Sequence, residues 1–253
     1  MLRLKAPWEI AMMRTSGRKL AEVVAILRES IEAGMTAREL DRIGEEAIRA
    51  RGGVPSFLGY RGGGPRPYPA SLCISLNHEV VHGIPDGRVF TEGDVVSVDL
   101  GLHHAGYHAD AAFSVIIGQG SGKVRDLLDA TEESLYKAVA QAVPGNRTGD
   151  IGYAVESHVQ PRGFSVIRDY VGHGIGRSLH EEPAVPNYGQ PGTGILLKTG
   201  LCVAIEPMVS MGGHKTVVEK NGWTVVTRDH SVSAHFEHTI AISERGPEIL
   251  TTL

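Results

Sequence analysis

The sequence predicts a duplicated α/β fold in which two similar halves meet at one cleft. Two helices followed by strands occur twice along the 253 residues. Short motifs of the first half recur in the second half in the same order, and collinear repeats indicate a shared structural unit. We therefore expect one domain over 1–253, with halves at about 8–120 and 121–245.

The first half begins with two amphipathic helices. Apolar residues at helical spacing predict the first helix over 8–31. Thr36 and Glu39 form a capping box at the start of the second helix, which ends before Gly52. Strands are expected at 71–76, 95–102 and 107–117, and the last two form a hairpin.

The second half repeats this order of elements. Helices are predicted at 123–143 and 150–160, and strands near 164–171, 201–209, 223–227 and 235–243. The repeat aligns Gly34 with Gly145, His82-Gly-Ile with His173-Gly-Ile, and Asp99 with Glu206. Two halves related by a pseudo-twofold axis are expected to bury their sheets together and to leave a cleft to which both contribute.

The composition excludes several classes of protein. A hydrophobic fraction of 42% beside 32 glycines fits neither disorder nor collagen. The net charge of −4 removes the electrostatic case for DNA or an anionic membrane as partner. Cys73 and Cys202 are too few for a disulfide framework, and the sequence has no long apolar run and no export signal at its start. We expect a cytoplasmic protein.

Two acids on the predicted hairpin carry the first chemical signal. A turn at His104-Ala105 would place Asp99 directly opposite Asp110 on one sheet face, with Cβ atoms roughly 5 Å apart. Like charges this close either raise one pKa or recruit a cation. Taken alone, the pair also fits two solvated carboxylates on an edge strand.

Two further acids strengthen the case for a cation. Glu206 takes the position equivalent to Asp99 after the apolar stretch 201–205, and Glu237 begins the strand equivalent to that of Asp110. Burying four unpaired carboxylates would cost more than the ~5–15 kcal/mol of a domain's stability. No Lys or Arg lies within the three positions before any of these acids. Two divalent ions would balance the charge, so the sequence predicts a two-metal carboxylate site.

An imidazole completes the predicted ligand set. His173 is flanked by glycines that allow a close backbone approach. A single histidine in a glycine-rich loop is often a surface residue, but four carboxylates favour a ligand. An oxygen-rich set with one imidazole fits Co, Mn, Fe or Zn without deciding among them. Two ions about 3.5–4 Å apart with a shared water indicate a hydrolase.

Seven short motifs occur along the chain in a specific order. They are His82-Gly-Ile-Pro-Asp, Asp99, Asp110, Gly172-His-Gly-Ile-Gly, His180-Glu-Glu-Pro, Ile205-Glu-Pro and Phe236-Glu-His. Together they resemble the type I methionine aminopeptidases across essentially the whole chain. The resemblance implies the pita-bread fold, with antiparallel sheets covered by helices around a central metal site. It also implies one catalytic domain that removes the initiator methionine from nascent proteins with a small second residue.

The same resemblance implies roles for the metal ligands and the partners. Asp99 would chelate one metal, Asp110 and Glu237 would bridge both, and His173 and Glu206 would bind the other. Glu206 would also shuttle protons, because the attacking water and the leaving amine both lie within its reach. The expected protein is a monomer that meets nascent polypeptides, with transient association with the ribosome.

Two histidines and an apolar pocket complete the implied site. By resemblance, His82 hydrogen-bonds the scissile amide and His180 the substrate carbonyl. Without the resemblance, either one also fits a structural histidine. The residues expected around the methionine side chain are Tyr60, Tyr68, Cys73, Leu179 and Trp223, for which core packing is the alternative.

Three alternative classes share the expected fold. A prolidase or aminopeptidase P is expected to carry a large N-terminal domain, and a type II methionine aminopeptidase a long helical insertion in its second half. A binding module without metal is expected to lose ligands, whereas all five ligand positions are filled here. The sequence leaves open the metal, the tolerated second residue and the exact pocket shape around Val81, Leu179 and the 62–67 loop.

Overall fold

Four helices and many short strands make up the computed structural model, which describes residues 2–62 and 64–253. The helices are α1 (Pro7–Ser30), α2 (Ala37–Ala50), α3 (Gly122–Ala140) and α4 (Thr148–Val159), followed by a short 3-10 helix over Gln160–Arg162. All four predicted helices are confirmed, with shifts of a few residues at their ends. The capping box of α2 is present, because Thr36 accepts from the Glu39 backbone and Glu39 accepts from the Thr36 backbone.

Fifteen strands lie within the described residues. They are β1 (Val54–Pro55), β2 (Leu72–Leu76), β3 (Glu79–Val81), β4 (Val95–His104), β5 (Tyr107–Ile116), β6 (Ser165–Val166), β7 (Gly172–Gly174), β8 (Glu181–Val185), β9 (Cys202–Ile205), β10 (Met208–Ser210), β11 (Thr216–Val218), β12 (Val225–Thr227), β13 (Ser233–His235), β14 (Glu237–Ser243) and β15 (Gly246–Ile249). The predicted strand 201–209 is divided into β9 and β10 by Glu206-Pro207, since proline cannot donate to a ladder.

Nine strands form one antiparallel sheet in the order β1-β4-β5-β14-β9-β7-β8, with β2 beside β4 and β15 beside β14. Two smaller sheets have the orders β13-β10-β6 and β11-β12-β3. The predicted α/β class with antiparallel sheets is confirmed. The expectation that two sheets pack against each other is wrong, because β5 of the first half pairs edge to edge with β14 of the second.

The central sheet is covered on one face by the helices. Val98, Phe113 and Val203 point to that face and share one buried apolar core with residues of all four helices, among them Leu20 and Ile151. Side chains alternate between the two faces of a strand. The neighbouring positions along β4, β5 and β9 therefore point to the opposite face, where the polar residues gather.

The hairpin of β4 and β5 has a different register from the predicted one. Asp99 pairs with Ala112 and Asp110 with Gly101, so the predicted direct pairing of the two acids is wrong. The turn lies at Ala105-Gly106, both with positive φ (48° and 87°). A two-residue hairpin turn of this kind requires positive φ at both positions, and glycine supplies the second most easily. The shift is two residues, so both acids keep the same face.

Within the described residues, no helix is both long and apolar enough to cross a bilayer.

Candidate active site

Four acids converge on one face of the nine-stranded sheet, at its centre. Asp99 on β4 and Glu237 on β14 both pair with Ala112 of β5, so they flank one small side chain. Asp110 lies two residues before Ala112 on the same face. Glu206 directly follows β9, the strand on the other side of β14. The pairing of β5 with β14 thus brings together acids that are far apart in the sequence.

His173 faces this group of acids from β7. Its Nε2 atom lies 3.8 Å from Oδ2 of Asp110 and 3.6 Å from Oε1 of Glu206. Its Nδ1 atom lies 2.9 Å from the carbonyl oxygen of Gly174, to which it donates. The free lone pair is therefore on Nε2, the atom that points at the acids. A Cβ atom on Gly174 would collide with a backbone oxygen of Glu182, which explains the need for glycine beside this histidine.

Burial raises the pKa of each of these carboxyl groups. The pKa of Asp99 rises to about 8 through loss of solvation. The pKa values of Asp110, Glu206 and Glu237 lie well above the ordinary range, through burial first and repulsion from the neighbouring acids second. The pKa of His173 falls to about 3, mainly because its ring is buried. Within the described residues, no Lys or Arg forms an ion pair with any of the four acids.

Several oxygen atoms in this cluster lack a partner. Oδ1 of Asp99, Oδ1 of Asp110 and Oε1 of Glu237 are buried and accept no hydrogen bond from the part of the chain that is described. Ligand atoms of Asp110, His173 and Glu237 all lie within 4.8 Å of one another. Buried acceptors normally have partners, and carboxylate oxygens with one imidazole are a set that divalent metals accept. The residues fit a divalent metal site.

A cavity of about 60 Å³ adjoins the cluster. It is lined by Phe57, Tyr60, Tyr68, Cys73, His82, Asp99, Asp110, His173, His180, Glu206, Trp223 and Glu237. This set brings together every predicted site residue except Leu179. Leu179 is buried and belongs to the same apolar cluster as Tyr68, Cys73 and Trp223, and its place beside the methionine side chain stays a prediction.

Two aromatic rings form one wall of the cavity. Tyr68 and Trp223 meet edge to face, with ring centres 5.2 Å apart. The Tyr68 hydroxyl donates to the carbonyl oxygen of Gly83 at 2.7 Å, and Trp223 Nε1 donates to the carbonyl oxygen of Arg66 at 3.0 Å. Their polar atoms are thus occupied, and the rings present apolar surface. Cys73 pairs with Asp99 across β2 and β4 and keeps its proton, because burial raises the pKa of its thiol.

The two predicted substrate-binding histidines both line the cavity. The His180 ring is tilted by 54° against that of His173, with ring centres 4.2 Å apart, and its Nδ1 atom lies 2.6 Å from the Tyr60 hydroxyl. If the Tyr60 hydroxyl donates to Nδ1, the proton of the neutral His180 ring is on Nε2. His82 has a left-handed backbone with φ of 59°, uncommon for a residue with a side chain. Its ring lies 6.2 Å from that of Trp223, and burial lowers its pKa to about 4.

Three residues near the site were not predicted from the sequence. Phe57 lines the cavity, Tyr170 meets the His82 ring edge to face at 5.6 Å, and His235 is buried with its Nε2 atom 3.7 Å from Oε2 of Glu206. His235 stands two positions before Glu237, and the two-residue period of a strand was a signal that pointed to it. No comparable signal exists for Phe57 and Tyr170.

The sequence model of metallopeptidase family M24 matches residues 11–244 of this chain. The chain therefore belongs to metallopeptidase family M24, and it is a hydrolase. Within that family, a methionine aminopeptidase of Clostridium perfringens is 47% identical over 253 residues, which is 100% of each chain. The crystal structure of methionine aminopeptidase from Thermotoga maritima is similar with a TM-score of 0.96 and 46% identity, covering 100% of both chains.

A more distant structure shares the fold alone. Prolidase from Pyrococcus furiosus has a TM-score of 0.76 at 22% identity, and the match covers 99% of this chain and 65% of that one. The expected pita-bread fold and the resemblance to methionine aminopeptidases are confirmed by these similarities.

Proposed function

We propose that this protein removes the N-terminal methionine from peptides and nascent proteins whose second residue is small, with the help of divalent metal. One observation carries the proposal: a buried cluster of four acids and one imidazole adjoins a small cavity with an aromatic wall. The aromatic wall suits a methionine side chain, because a thioether makes favourable contacts with aromatic rings.

We propose that two divalent ions bind the cluster. Asp99 would hold one of them, Asp110 and Glu237 would lie between both, and His173 and Glu206 would hold the other. Co, Mn, Fe and Zn all suit this donor set. Such ions, when bound, polarise the scissile carbonyl and lower the pKa of a water molecule. The unpartnered carboxylate oxygens support this assignment.

The proton transfers are assigned to Glu206. Its carboxylate lines the cavity, keeps a small exposed fraction and has no Lys or Arg partner among the described residues. One oxygen of this group takes the proton of the attacking water and gives it to the leaving amine. General acid–base catalysis needs a group within hydrogen-bond reach of both atoms, and the position at the cavity edge supports that reach.

His180 and His82 are assigned to the two atoms of the scissile peptide. His180 donates from Nε2 to the substrate carbonyl oxygen, while Tyr60 fixes the ring through Nδ1. This bond strengthens as the oxygen gains charge, because charge-assisted hydrogen bonds are roughly twice as strong as neutral ones. His82 hydrogen-bonds the scissile amide, and its pKa of about 4 keeps the ring neutral at pH 7.

The methionine side chain is assigned to the wall of Tyr68, Cys73 and Trp223, with Tyr60 beside it. Sulfur–aromatic contacts of ~0.3–1.5 kcal/mol would favour a thioether over an alkyl chain of equal shape. The satisfied polar atoms of Tyr68 and Trp223 support an apolar pocket.

We also propose that residues 1–253 act as one catalytic domain and as a monomer in the cytoplasm, where nascent chains pass transiently from the ribosome. All proposed ligands come from one chain, so the site needs no residue of a second copy. The net charge of −4 supports the absence of DNA as a partner.

A metal-dependence assay on three peptides tests the proposal. The protein is stripped with a chelator, and Mn²⁺ or Co²⁺ is added back before incubation with Met-Ala-Ser, Ala-Ala-Ser and Ala-Pro. We expect the protein to cleave Met-Ala-Ser but neither of the other two peptides, and to do so only when metal is present. Full activity without metal would contradict the metal site, and preferred cleavage of Ala-Pro would make the protein a prolidase.

A further inference from the structure

His235 is a buried imidazole to which the proposed reaction gives no role. Only 1% of its surface is exposed, and its Nε2 atom is buried without a hydrogen-bond partner in the described chain. The nearest acid is Glu206, whose Oε2 atom lies 3.7 Å away. The other oxygen of Glu206, Oε1, lies 3.6 Å from Nε2 of His173. Glu206 is thus flanked by two imidazoles, one on each carboxylate oxygen.

The backbone holds His235 in this place. The Ser114 hydroxyl accepts from the backbone N–H of His235 at 2.9 Å and donates to its carbonyl oxygen at 2.9 Å. The hydroxyl oxygens of Ser97 and Ser114 lie 2.7 Å apart, and this hydrogen bond holds the Ser114 side chain in place. Both serines are buried. A residue fixed through both of its backbone polar groups cannot drift away from Glu206.

Glu206 is also fixed through its backbone. Its carbonyl oxygen accepts from Nδ2 of Asn187 at 2.9 Å, and Pro207 follows it. The freedom that remains is rotation of the Glu206 side chain. A rotation that shortens the distance from Nε2 of His235 by about 0.8 Å reaches the usual hydrogen-bond length.

The tautomer of His235 follows from what Nε2 faces. With metal bound, Glu206 is a carboxylate, and a bare lone pair on Nε2 would point at its lone pairs, which repel it. A proton on Nε2 makes the same contact attractive. His173 has the opposite arrangement, because its Nδ1 atom donates to the Gly174 carbonyl and leaves Nε2 free. The two imidazoles therefore differ in kind: one offers a lone pair and the other an N–H.

We propose that His235 is a positioning residue for Glu206: its Nε2–H donates to Oε2 and keeps Oε1 turned towards His173 and the metal site. The proposal rests on the proposed metal site. It assigns the hydrogen bond that a metal-binding carboxylate usually receives from outside the ligand set. Without this donor, Glu206 would be free to turn either oxygen, or both, towards the cluster.

Calorimetric titration with Mn²⁺ after chelator treatment tests the proposal in four proteins: wild type, His235→Gln, His235→Leu and His238→Leu. The leucine variant at 235 is expected to bind about 10–100-fold more weakly, as is typical when such a donor is lost. Glutamine keeps an N–H donor, so that variant is expected within about threefold of wild type. His238 reaches the opposite face, where it contacts Thr251, and its variant controls for the loss of a partly buried imidazole.

The outcomes separate the possible errors. Unchanged affinity in His235→Leu, or a glutamine variant as weak as the leucine variant, would overturn the donor role. Pulsed EPR of the Mn²⁺-loaded wild type is expected to detect one bound imidazole; two would make His235 a ligand and overturn the proposal. If wild type itself binds no Mn²⁺, the proposed metal function fails. Thermal unfolding of each variant verifies that it is folded.

Discussion

Asp99 and Glu237 lie on opposite sides of Ala112, and each pairs with it across a different strand edge. The one side chain between these two acids is therefore a single methyl group. Its small size leaves space above the sheet for whatever the carboxylates bind. A larger residue at this position would occupy the space between ligands without touching any ligand residue.

The substitution Ala112→Val tests this spacing. Two extra methyl groups in a packed site cost about 1–3 kcal/mol, so we expect metal affinity to fall by roughly tenfold or more. Titration calorimetry measures the affinity, and Ala112→Ser is the matched control because serine adds one atom. Equal metal affinity in the valine and serine variants would show that the open space above Ala112 is not needed for metal binding.

Asp110→Asn is expected to separate metal binding from folding. The variant should bind metal much more weakly, because Asp110 is one of the three residues whose ligand atoms lie within 4.8 Å. Its metal-free form should be more stable than metal-free wild type, since one repelling carboxylate is gone. A gain of about 1 kcal/mol corresponds to a rise of roughly 2–4 °C in Tm for a chain of this size.

The exposed acid Asp129 on α3 supplies the control, Asp129→Asn, for which neither metal affinity nor Tm should change. An Asp110→Asn protein with wild-type affinity would remove Asp110 from the ligand set.

Metal-free wild type is expected to lose stability as the pH rises. The pKa of Asp99 is 3.8 in an unfolded chain and about 8 in the folded one. A group whose pKa is raised on folding stabilises the fold fully below its unfolded pKa, and this stability is lost as the pH rises through the folded value. Urea unfolding of chelator-treated protein should therefore give lower stability at pH 8.5 than at pH 5.

The metal-loaded protein should not show this loss, because the carboxylates are then held in their charged form. A metal-free protein with the same stability at both pH values would contradict the burial of unpaired acids.

His180 and His173 are expected to respond differently to alanine. His180→Ala should lower kcat by about 10²–10³-fold with little change in KM and full metal content, because a donor to a developing oxyanion is lost. His173→Ala should lose metal first, and excess metal should restore part of its rate. Metal analysis and steady-state kinetics on Met-Ala-Ser measure both.

The two rings are neighbours, 4.2 Å apart, so a general disruption of this region would affect both variants alike. If added metal rescues His180→Ala, or if His173→Ala keeps its full metal content, the roles assigned to these two histidines are wrong.

The sequence predicted the features that depend on local side-chain patterns, and it failed for features that backbone geometry sets. Helix α2 was predicted closely, because the Thr36 and Glu39 side chains act on the nearest backbone atoms. The hairpin register was wrong by two residues, because the turn was assigned to His104-Ala105 although Gly106 accepts positive φ more easily. The face of Asp99 and Asp110 was still right, because an even shift preserves alternation.

Other features depend on long-range packing that no local pattern reports. The repeat indicated two halves, but a repeat does not say whether their sheets stack or join through β5 and β14. The position of His235 two residues before Glu237 was a sequence signal, but its contact with Glu206 depends on how these distant segments pack.

In the nine-stranded sheet, the joint between the halves is short. Two residue pairs connect β5 to β14, whereas ten connect β4 to β5. In a smaller sheet, β3 of the first half also pairs with β12 of the second. Thr239 strengthens the joint of β5 and β14 through hydrogen bonds with the backbone N–H and carbonyl of Asp110. Asp99 and Asp110 lie on one side of this joint, and His173, Glu206 and Glu237 on the other. A chain of half this length would hold too few ligands for the cluster, and only by pairing with a second copy across a twofold axis would it assemble one. Gene fusion of such a homodimer would make permanent a contact that had depended on protein concentration.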